Sequence, residues 1–306
     1  MAGIFTEINR RFNAGSILAK FIFINAGAFI IIRLLSVILH LFMSDTSFMQ
    51  YIEMPSSLSL LIQRPWTIIT YMFVHFDFLH ILFNMLWLYW FGGIFLQFFT
   101  GRQLGGLYVL GGIAGAGLFL LAYNLLPYLR QFADNSFLLG ASASVMAIVF
   151  AVSFYQKDYV INLLFIGRIK LIWLAIGVLL LDIIAITSEN AGGHIAHIGG
   201  ALLGIFFATQ YRKGKDLTGP MNRVIDRFVN FITKKPTFKV FRSEKKTSAH
   251  QQKQQQSRRP ESDEEYLRRK KEENRIIDEI LDKLKRSGYE SLSAEEKKKL
   301  FDASRK

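Results

Sequence analysis

Six long apolar segments fill the first two thirds of the chain. They cover residues 18–42, 78–98, 104–126, 137–154, 169–187 and 193–211. A helix that crosses the hydrocarbon core of a bilayer needs ~20 mostly apolar residues, and the segments lack the alternation of β-barrel strands. The sequence therefore predicts an all-α membrane protein with six transmembrane helices. Because the chain has no cysteine, disulfides and thiolate catalysis are excluded.

Basic residues cluster at alternate ends of these segments. Arg10, Arg11 and Lys20 lie before or at the start of the first segment, Lys157 and Arg168 separate the fourth from the fifth, and a dense basic stretch follows the sixth. Basic residues are retained on the cytoplasmic side of a membrane. We therefore expect both termini to be cytoplasmic. The N-terminus resembles neither a cleaved signal peptide nor a transit peptide, which indicates a bacterial inner (plasma) membrane.

Four polar residues converge at one predicted depth. In the orientation above, His80 and Asn84 enter the second segment from outside, Ser142 lies about five residues into the fourth, and His197 lies about four residues into the sixth. A rise of ~1.5 Å per residue places the last two roughly 6–8 Å below the outer boundary. Polar groups inside a membrane tend to be functional, although small hydroxyls and His–Asn pairs also serve as packing or hydrogen-bonding contacts between helices.

A strip of small residues indicates which segments touch. His197 precedes Gly200 and Gly204, a spacing that lets two helix backbones approach closely. The predicted partner is the fourth segment, where Gly140 and Ser142 are also small. A serine and a histidine that face each other across such a contact have the geometry of a nucleophile and its general base.

The motifs HILFN (80–84), GxS (140–142) and AHIGGxxxG (196–204), in this order across six segments, resemble those of the rhomboid intramembrane serine proteases. The resemblance covers roughly residues 60–210. It implies a rhomboid-like six-helix bundle over 18–211 that uses neither cofactor nor metal. It also implies cleavage of transmembrane proteins near the extracytoplasmic face, with the fifth segment and an overlying loop as the gate.

The resemblance assigns a role to each polar residue. Ser142 corresponds to the nucleophile and His197 to the base, in a dyad without an aspartate. His80 and Asn84 correspond to the oxyanion-binding pair, and the backbone N–H groups of Ala141 and Ser142 are expected to assist them.

The sequence departs from the family pattern at several positions. Ala143 follows the serine where glycine is usual, Trp66 is followed by threonine instead of arginine, and Gln97 stands where an acidic residue is usual. Ser144 projects ~200° away from Ser142 around the helix, so we interpret it as a packing residue. His194, one turn before His197, remains a rim residue or an alternative base.

The rest of the chain is charged. A cytoplasmic N-terminus covers residues 1–17. Residues 212–261 form a basic juxtamembrane segment and a disordered linker; 212–259 contain fourteen Lys or Arg and three acidic residues. The pattern MNRVIDRFVNFITKK within it predicts an amphipathic helix that binds anionic lipid, and not nucleic acid.

Residues 262–306 predict a short helical hairpin with a capping box at 293–296, suited to a protein partner or to self-association.

Two other functions remain open. The first is a non-catalytic rhomboid-like protein that binds membrane clients without cutting them. The second is a transporter or metal enzyme that uses His75, His80, His194 and His197 as ligands.

Overall fold

The computed structural model describes residues 15–42, 47–163 and 167–233, and further along the chain 275–276, 278–284, 286, 288, 291–293 and 295–297. The predictions for the N-terminus up to residue 14, for the linker and for most of the basic segment after residue 233 lie outside these residues. The chain divides into two compact units, 1–237 and 238–306, and each is described by itself.

Helices make up most of the first unit. They are α1 Ile17–Leu41, α2 Leu58–Gln63, α3 Thr67–Thr70, α4 Phe78–Phe95, α5 Gly101–Leu125, α6 Pro127–Arg130, α7 Ser142–Tyr155, α8 Leu171–Ile184, α9 Ala191–Arg212 and α10 Thr218–Thr233. Single 3-10 turns occur at Ser47–Tyr51, Tyr71–Phe73 and Ala185–Thr187. Two short antiparallel strand pairs join them: β1 Met54–Pro55 with β2 Phe137–Leu138, and β3 Val160–Leu163 with β4 Gly167–Lys170.

Each of the six predicted apolar segments contains one of the longer helices. Within the described residues, α1, α4, α5 and α9 are long and apolar enough to cross a membrane, whereas α7 and α8, the latter with its following turn, are shorter apolar helices. Length therefore supports four crossings directly. The count of six stays a prediction.

The start of α7 differs from the prediction, because the apolar run from residue 137 does not begin as a helix. Phe137 and Leu138 pair with Pro55 and Met54, and the Gly140 N–H donates to the Tyr71 carbonyl at 2.9 Å. This pairing between distant parts of the chain holds residues 137–138 in a strand, and the Gly140 bond fixes the turn that follows. Ser142 is consequently the first residue of α7 and does not lie five residues inside it.

The middle of the bundle is α7, which is buried from Ala143 to Ser153. Helix α9 packs directly on it: a Cβ at Gly200 would overlap the Ala143 carbonyl oxygen, and one at Gly204 would overlap the Ala147 carbonyl oxygen. The predicted contact between the small residues of these two segments is therefore confirmed. Backbone-to-backbone packing of this kind requires glycine at both positions.

On its other side, α7 packs against α5. A Cβ at Gly111 would overlap the Cβ of Ala147, and one at Gly115 would lie 2.8 Å from the Ala196 carbonyl oxygen of α9. Three helices thus meet around small side chains. Because small residues leave the backbones in contact, the relative positions of α5, α7 and α9 are tightly constrained.

The loop between α1 and α4 is held by aromatic and cationic contacts. Arg64 donates from Nη1 to the Gln50 carbonyl at 2.9 Å, and its guanidinium carbon lies 4.1 Å from the ring centroid of Tyr51. The Trp66 indole N–H donates to the Tyr51 carbonyl at 2.7 Å. These contacts anchor the loop even though threonine follows Trp66.

Helix α10 docks on the start of α5. Arg102 pairs with Asp226 at 2.6 Å, and the Gln103 amide donates to Asp216 at 3.1 Å. Thr218 is fully buried where it faces Gly106. The docked side of α10 is thus polar or small, while several of its apolar residues, among them Val224, Phe228 and Phe231, are exposed.

The second unit has a helix around 278–284 and a turn of helix around 295–297. Gly288, at φ +74°, donates its N–H to the Leu284 carbonyl at 3.0 Å and ends the first helix. Ser293 and Glu296 exchange hydrogen bonds of 2.6 and 3.3 Å in a capping box. Lys283 pairs with Glu296 at 3.0 Å and ties the two pieces together.

Candidate active site

A cavity of about 580 Å³ lies between α4, α7, α8 and α9. Four of the predicted site residues, His80, Asn84, Ser142 and His197, all line it. Its other lining residues include Phe83, Trp87, Val145, Met146, Val178, Asp182, Asn190 and Gly193. A mostly apolar hollow with a few convergent polar groups is the usual form of a substrate site.

Gly140 positions Ser142. Its φ of +112° lies in the region that side chains rarely adopt, and a Cβ there would lie 2.8 Å from His80 Nε2. The His80 imidazole thus packs directly on the turn that leads into α7. At the first residue of a helix the backbone N–H has no intrahelical acceptor, and the helix dipole makes this end positive. The Ser142 N–H is therefore placed to stabilise negative charge.

The Ala141 amide has a different environment. Ala141 is fully buried, and its N–H is directed at His75 Nε2 at 3.4 Å. His75 is also fully buried. The structure therefore brings Ala141 next to Ser142 but engages its N–H with an imidazole.

His80 and Asn84 are one turn apart on α4, as their spacing predicts. Asp77 caps this helix by accepting a hydrogen bond from the His80 N–H at 2.8 Å. The Asn84 amide donates to the His80 carbonyl at 2.9 Å. An amide group has two N–H donors, so Asn84 keeps a second donor after making this bond.

Asp182 is the site residue that the sequence analysis missed. Its Oδ1 lies 2.9 Å from His197 Nδ1 and 2.8 Å from His194 Nδ1. The resemblance implied a dyad without an aspartate, and the structure places a carboxylate against the predicted base. One signal was available: Asp182 is the single acidic residue in the apolar run 171–187.

The Ser142 hydroxyl makes no hydrogen bond within the described part of the chain, and it lines the same cavity as His197. The Ser144 hydroxyl is buried and also without a partner, as expected of a packing residue. His194 does not line the cavity, although it contacts Asp182. These placements distinguish Ser142 from Ser144 and His197 from His194.

The same cluster is the one with chelating geometry among the described residues. One ligand atom from each of Asp182, His194 and His197 lies within 4.8 Å of the other two. Imidazole and carboxylate donors suit Zn²⁺ or a related ion. The Nδ1–Oδ1 separations of 2.8 and 2.9 Å are those of charge-assisted hydrogen bonds.

The long apolar helices make this an integral membrane protein of largely helical structure. A family model described as "Rhomboid domain" matches residues 63–214, which include the whole candidate site. A protein of Arabidopsis thaliana named "RHOMBOID-like protein 12, mitochondrial" is 30% identical over 161 residues, a match that covers 50% of this chain and 48% of that protein. The chain belongs to the rhomboid family.

The end of the chain matches a different family. Residues 261–306 match a model described as "Family of unknown function (DUF6576)". This range nearly coincides with the helical region predicted from residue 262.

Proposed function

We propose that this protein is an intramembrane serine endopeptidase that cleaves transmembrane proteins near the extracytoplasmic face of the membrane. Ser142 is the nucleophile and His197 the general base. The observation that carries the proposal is their position: both line one cavity together with His80 and Asn84. A serine hydroxyl and an imidazole that line the same cavity are the minimal set for acyl transfer.

The reaction follows from this arrangement. Ser142 Oγ attacks the carbonyl carbon of the scissile bond while His197 takes the hydroxyl proton. The oxyanion is held by the Ser142 N–H, the second N–H of Asn84 and His80, with Ala141 as a further candidate donor. His197 then protonates the leaving amine, and water activated by His197 hydrolyses the acyl-enzyme.

The substrate is a transmembrane helix with small or helix-destabilising residues near its external end. A regular helix hides its carbonyl groups in hydrogen bonds, so the segment must unwind before attack. Phe83 and Trp87 of α4 and Val178 of α8 line the cavity and offer an apolar route between those two helices. This position of α8 supports its role as the gate.

The proposal includes the membrane topology. All six apolar helices cross the membrane, including the shorter α7, which is buried among the others, and the shorter α8, which a 3-10 turn extends. Both termini lie in the cytoplasm. The distribution of basic residues supports this orientation. We extend the proposal to a bacterial inner (plasma) membrane, which the distribution of basic residues supports; "mitochondrial" describes the Arabidopsis protein only.

The tail has two proposed partners. The exposed apolar side chains of α10, including Val224 and Phe228, together with Arg223 and Arg227, support binding to anionic lipid at the inner leaflet. The C-terminal helices suit a protein partner or self-association, since about forty residues cannot bury a large core.

A reporter membrane protein and a fluorophosphonate probe test the activity. We expect Ser142→Ala and His197→Ala to abolish cleavage by the purified protein, and Ser142→Ala to abolish labelling. Ser144→Ala is the matched control, since it removes a hydroxyl from the same helix and should cleave and label normally. Full cleavage by Ser142→Ala would refute the proposal.

The same assay separates the two other functions. A non-catalytic rhomboid-like client-binding protein would retain the reporter without cutting it, and neither serine variant would change this. A metal enzyme would lose activity with a chelator and keep it in Ser142→Ala.

A further inference from the structure

Asp182 is buried in an otherwise apolar helix and requires an explanation. Its side chain is about 7% exposed, and it is the single acidic residue of α8. An ionised carboxylate away from water is costly unless it is paired and hydrogen-bonded. Its two partners in the structure are His194 and His197, which lie on adjacent turns of α9.

The hydrogen bonds fix which nitrogen carries the proton. Both imidazoles approach the same carboxylate oxygen with Nδ1, at 2.8 and 2.9 Å. An ionised carboxylate only accepts hydrogen bonds, so Nδ1 of each histidine is the donor. In neutral His197 this leaves Nε2 with its lone pair, which is the atom that a serine hydroxyl needs as its base.

We infer that Asp182 is a positioning residue that holds His197 in the tautomer and orientation with Nε2 available to Ser142. The inference rests on the proposed function and adds a third member to the dyad. Asp182 also stabilises the imidazolium that forms when His197 takes the serine proton, as the carboxylate does in serine protease triads.

The charged surroundings of His197 come from three helices. Asp182 faces it from α8, His194 from its own helix, and His80 from α4 across the cavity. Asp182 is the single anion in this set, so its removal leaves His197 facing two other imidazoles. The consequence is specific: the imidazolium that forms when His197 takes the serine proton loses its one anionic neighbour in this set.

The test compares Asp182→Asn with the native chain in detergent, measuring kcat and KM for a reporter transmembrane substrate from pH 5 to 9. We expect kcat to fall about 100-fold or more with KM nearly unchanged. His194→Ala is the matched control, because it removes the other hydrogen bond between α9 and Asp182 and leaves the His197–Asp182 hydrogen bond in place. It should keep kcat within about fivefold.

A purely structural role gives a different result. If Asp182 merely joined α8 to α9, Asp182→Asn and His194→Ala would lower the unfolding temperature and kcat similarly. That outcome overturns the inference. Ser142→Ala is measured in parallel: if it is inactive while Asp182→Asn keeps native kcat, only the role of Asp182 fails. If Ser142→Ala cleaves normally, the proposed function itself fails.

A second measurement needs no Asp182 variant. Nitrogen NMR of protein with ¹⁵N-labelled histidine reports the tautomer directly, and His197→Gln assigns the signals. We expect a protonated Nδ1 and an unprotonated Nε2 for His197 at neutral pH. The opposite tautomer would overturn the inference even if Asp182→Asn failed to fold.

Discussion

Replacement of Gly200 by alanine tests whether the α7–α9 contact sets the geometry of the site. The added Cβ would overlap the Ala143 carbonyl oxygen and lie within 3.2 Å of the Ala143 Cα. Because these are backbone atoms next to Ser142, no rotamer change relieves the overlap. The two helices must separate by roughly 1 Å to restore ordinary contact.

The expected change in the free energy of unfolding of Gly200→Ala is the sum of two opposing contributions. Overpacking of this kind costs about 3 kcal/mol at the upper end, and the helix propensity of alanine over glycine returns about 1 kcal/mol. The expected loss of stability is therefore about 2 kcal/mol. The effect on activity is larger, because a shift of about 1 Å between nucleophile and base costs on the order of 100-fold in rate.

The assay measures reporter cleavage and the unfolding temperature in the same detergent. Gly117→Ala in α5 is the matched control, since a Cβ there meets nothing within 4 Å; it should keep native activity and native or slightly higher stability. If Gly200→Ala keeps both native rate and native unfolding temperature, the close backbone contact does not set the site.

Three further predictions concern single side chains. Gly140→Ala should reduce cleavage at least 100-fold, because it combines a strained φ with a Cβ 2.8 Å from His80 Nε2; normal kinetics would contradict this account of the turn. Ser144→Ala should raise the free energy of unfolding by about 1 kcal/mol, since its buried hydroxyl has no partner, and a clear loss of stability would show that the hydroxyl is bonded. Partial burial acts to raise the pKa of Asp216, but hydrogen bonds from Thr218 outweigh it and hold that pKa below its ordinary value of 3.8. The ionised form therefore supports the docking of α10 above pH 3.8, and this support is lost as the pH falls through the lower folded value. The amide hydrogen-exchange rates of α10 in the native and Asp216→Asn proteins should therefore become equal once the pH has fallen below the folded pKa of Asp216. A difference in exchange rate that stays constant with pH would contradict this role of Asp216.

The fold follows from the sequence where the signal is local. Apolar runs of helical length locate the helices, and the glycine spacing at Gly200 and Gly204 identifies which helices touch. The beginning of α7 does not follow in this way, since residues 137–138 are as apolar as the helix after them. Their strand pairing with Met54 and Pro55 joins positions more than eighty residues apart, and no local pattern reports such a contact.

In the candidate site, too, some features could be predicted from local sequence and others could not. Motifs indicate Ser142, His197, His80 and Asn84, and the structure places all four on one cavity. The environment of Ala141 could not be inferred, because its N–H is directed at the buried His75, and which side an amide faces depends on the turn before α7. A motif specifies side chains, whereas a backbone donor is specified only by φ and ψ.

Asp182, in contrast, could have been found by reasoning about charge. An acidic residue near the predicted external end of the fifth segment is expected to have a partner, because an unpaired carboxylate is costly in lipid. The sixth segment enters from the same side within a few residues and begins with His194 and His197, so the two lie at similar depth. No other residue with an ionisable N–H lies at that level on the neighbouring segment. The pairing of Asp182 with the predicted base was therefore a consequence of topology and electrostatics together, and neither the serine nor the histidine motif contains it.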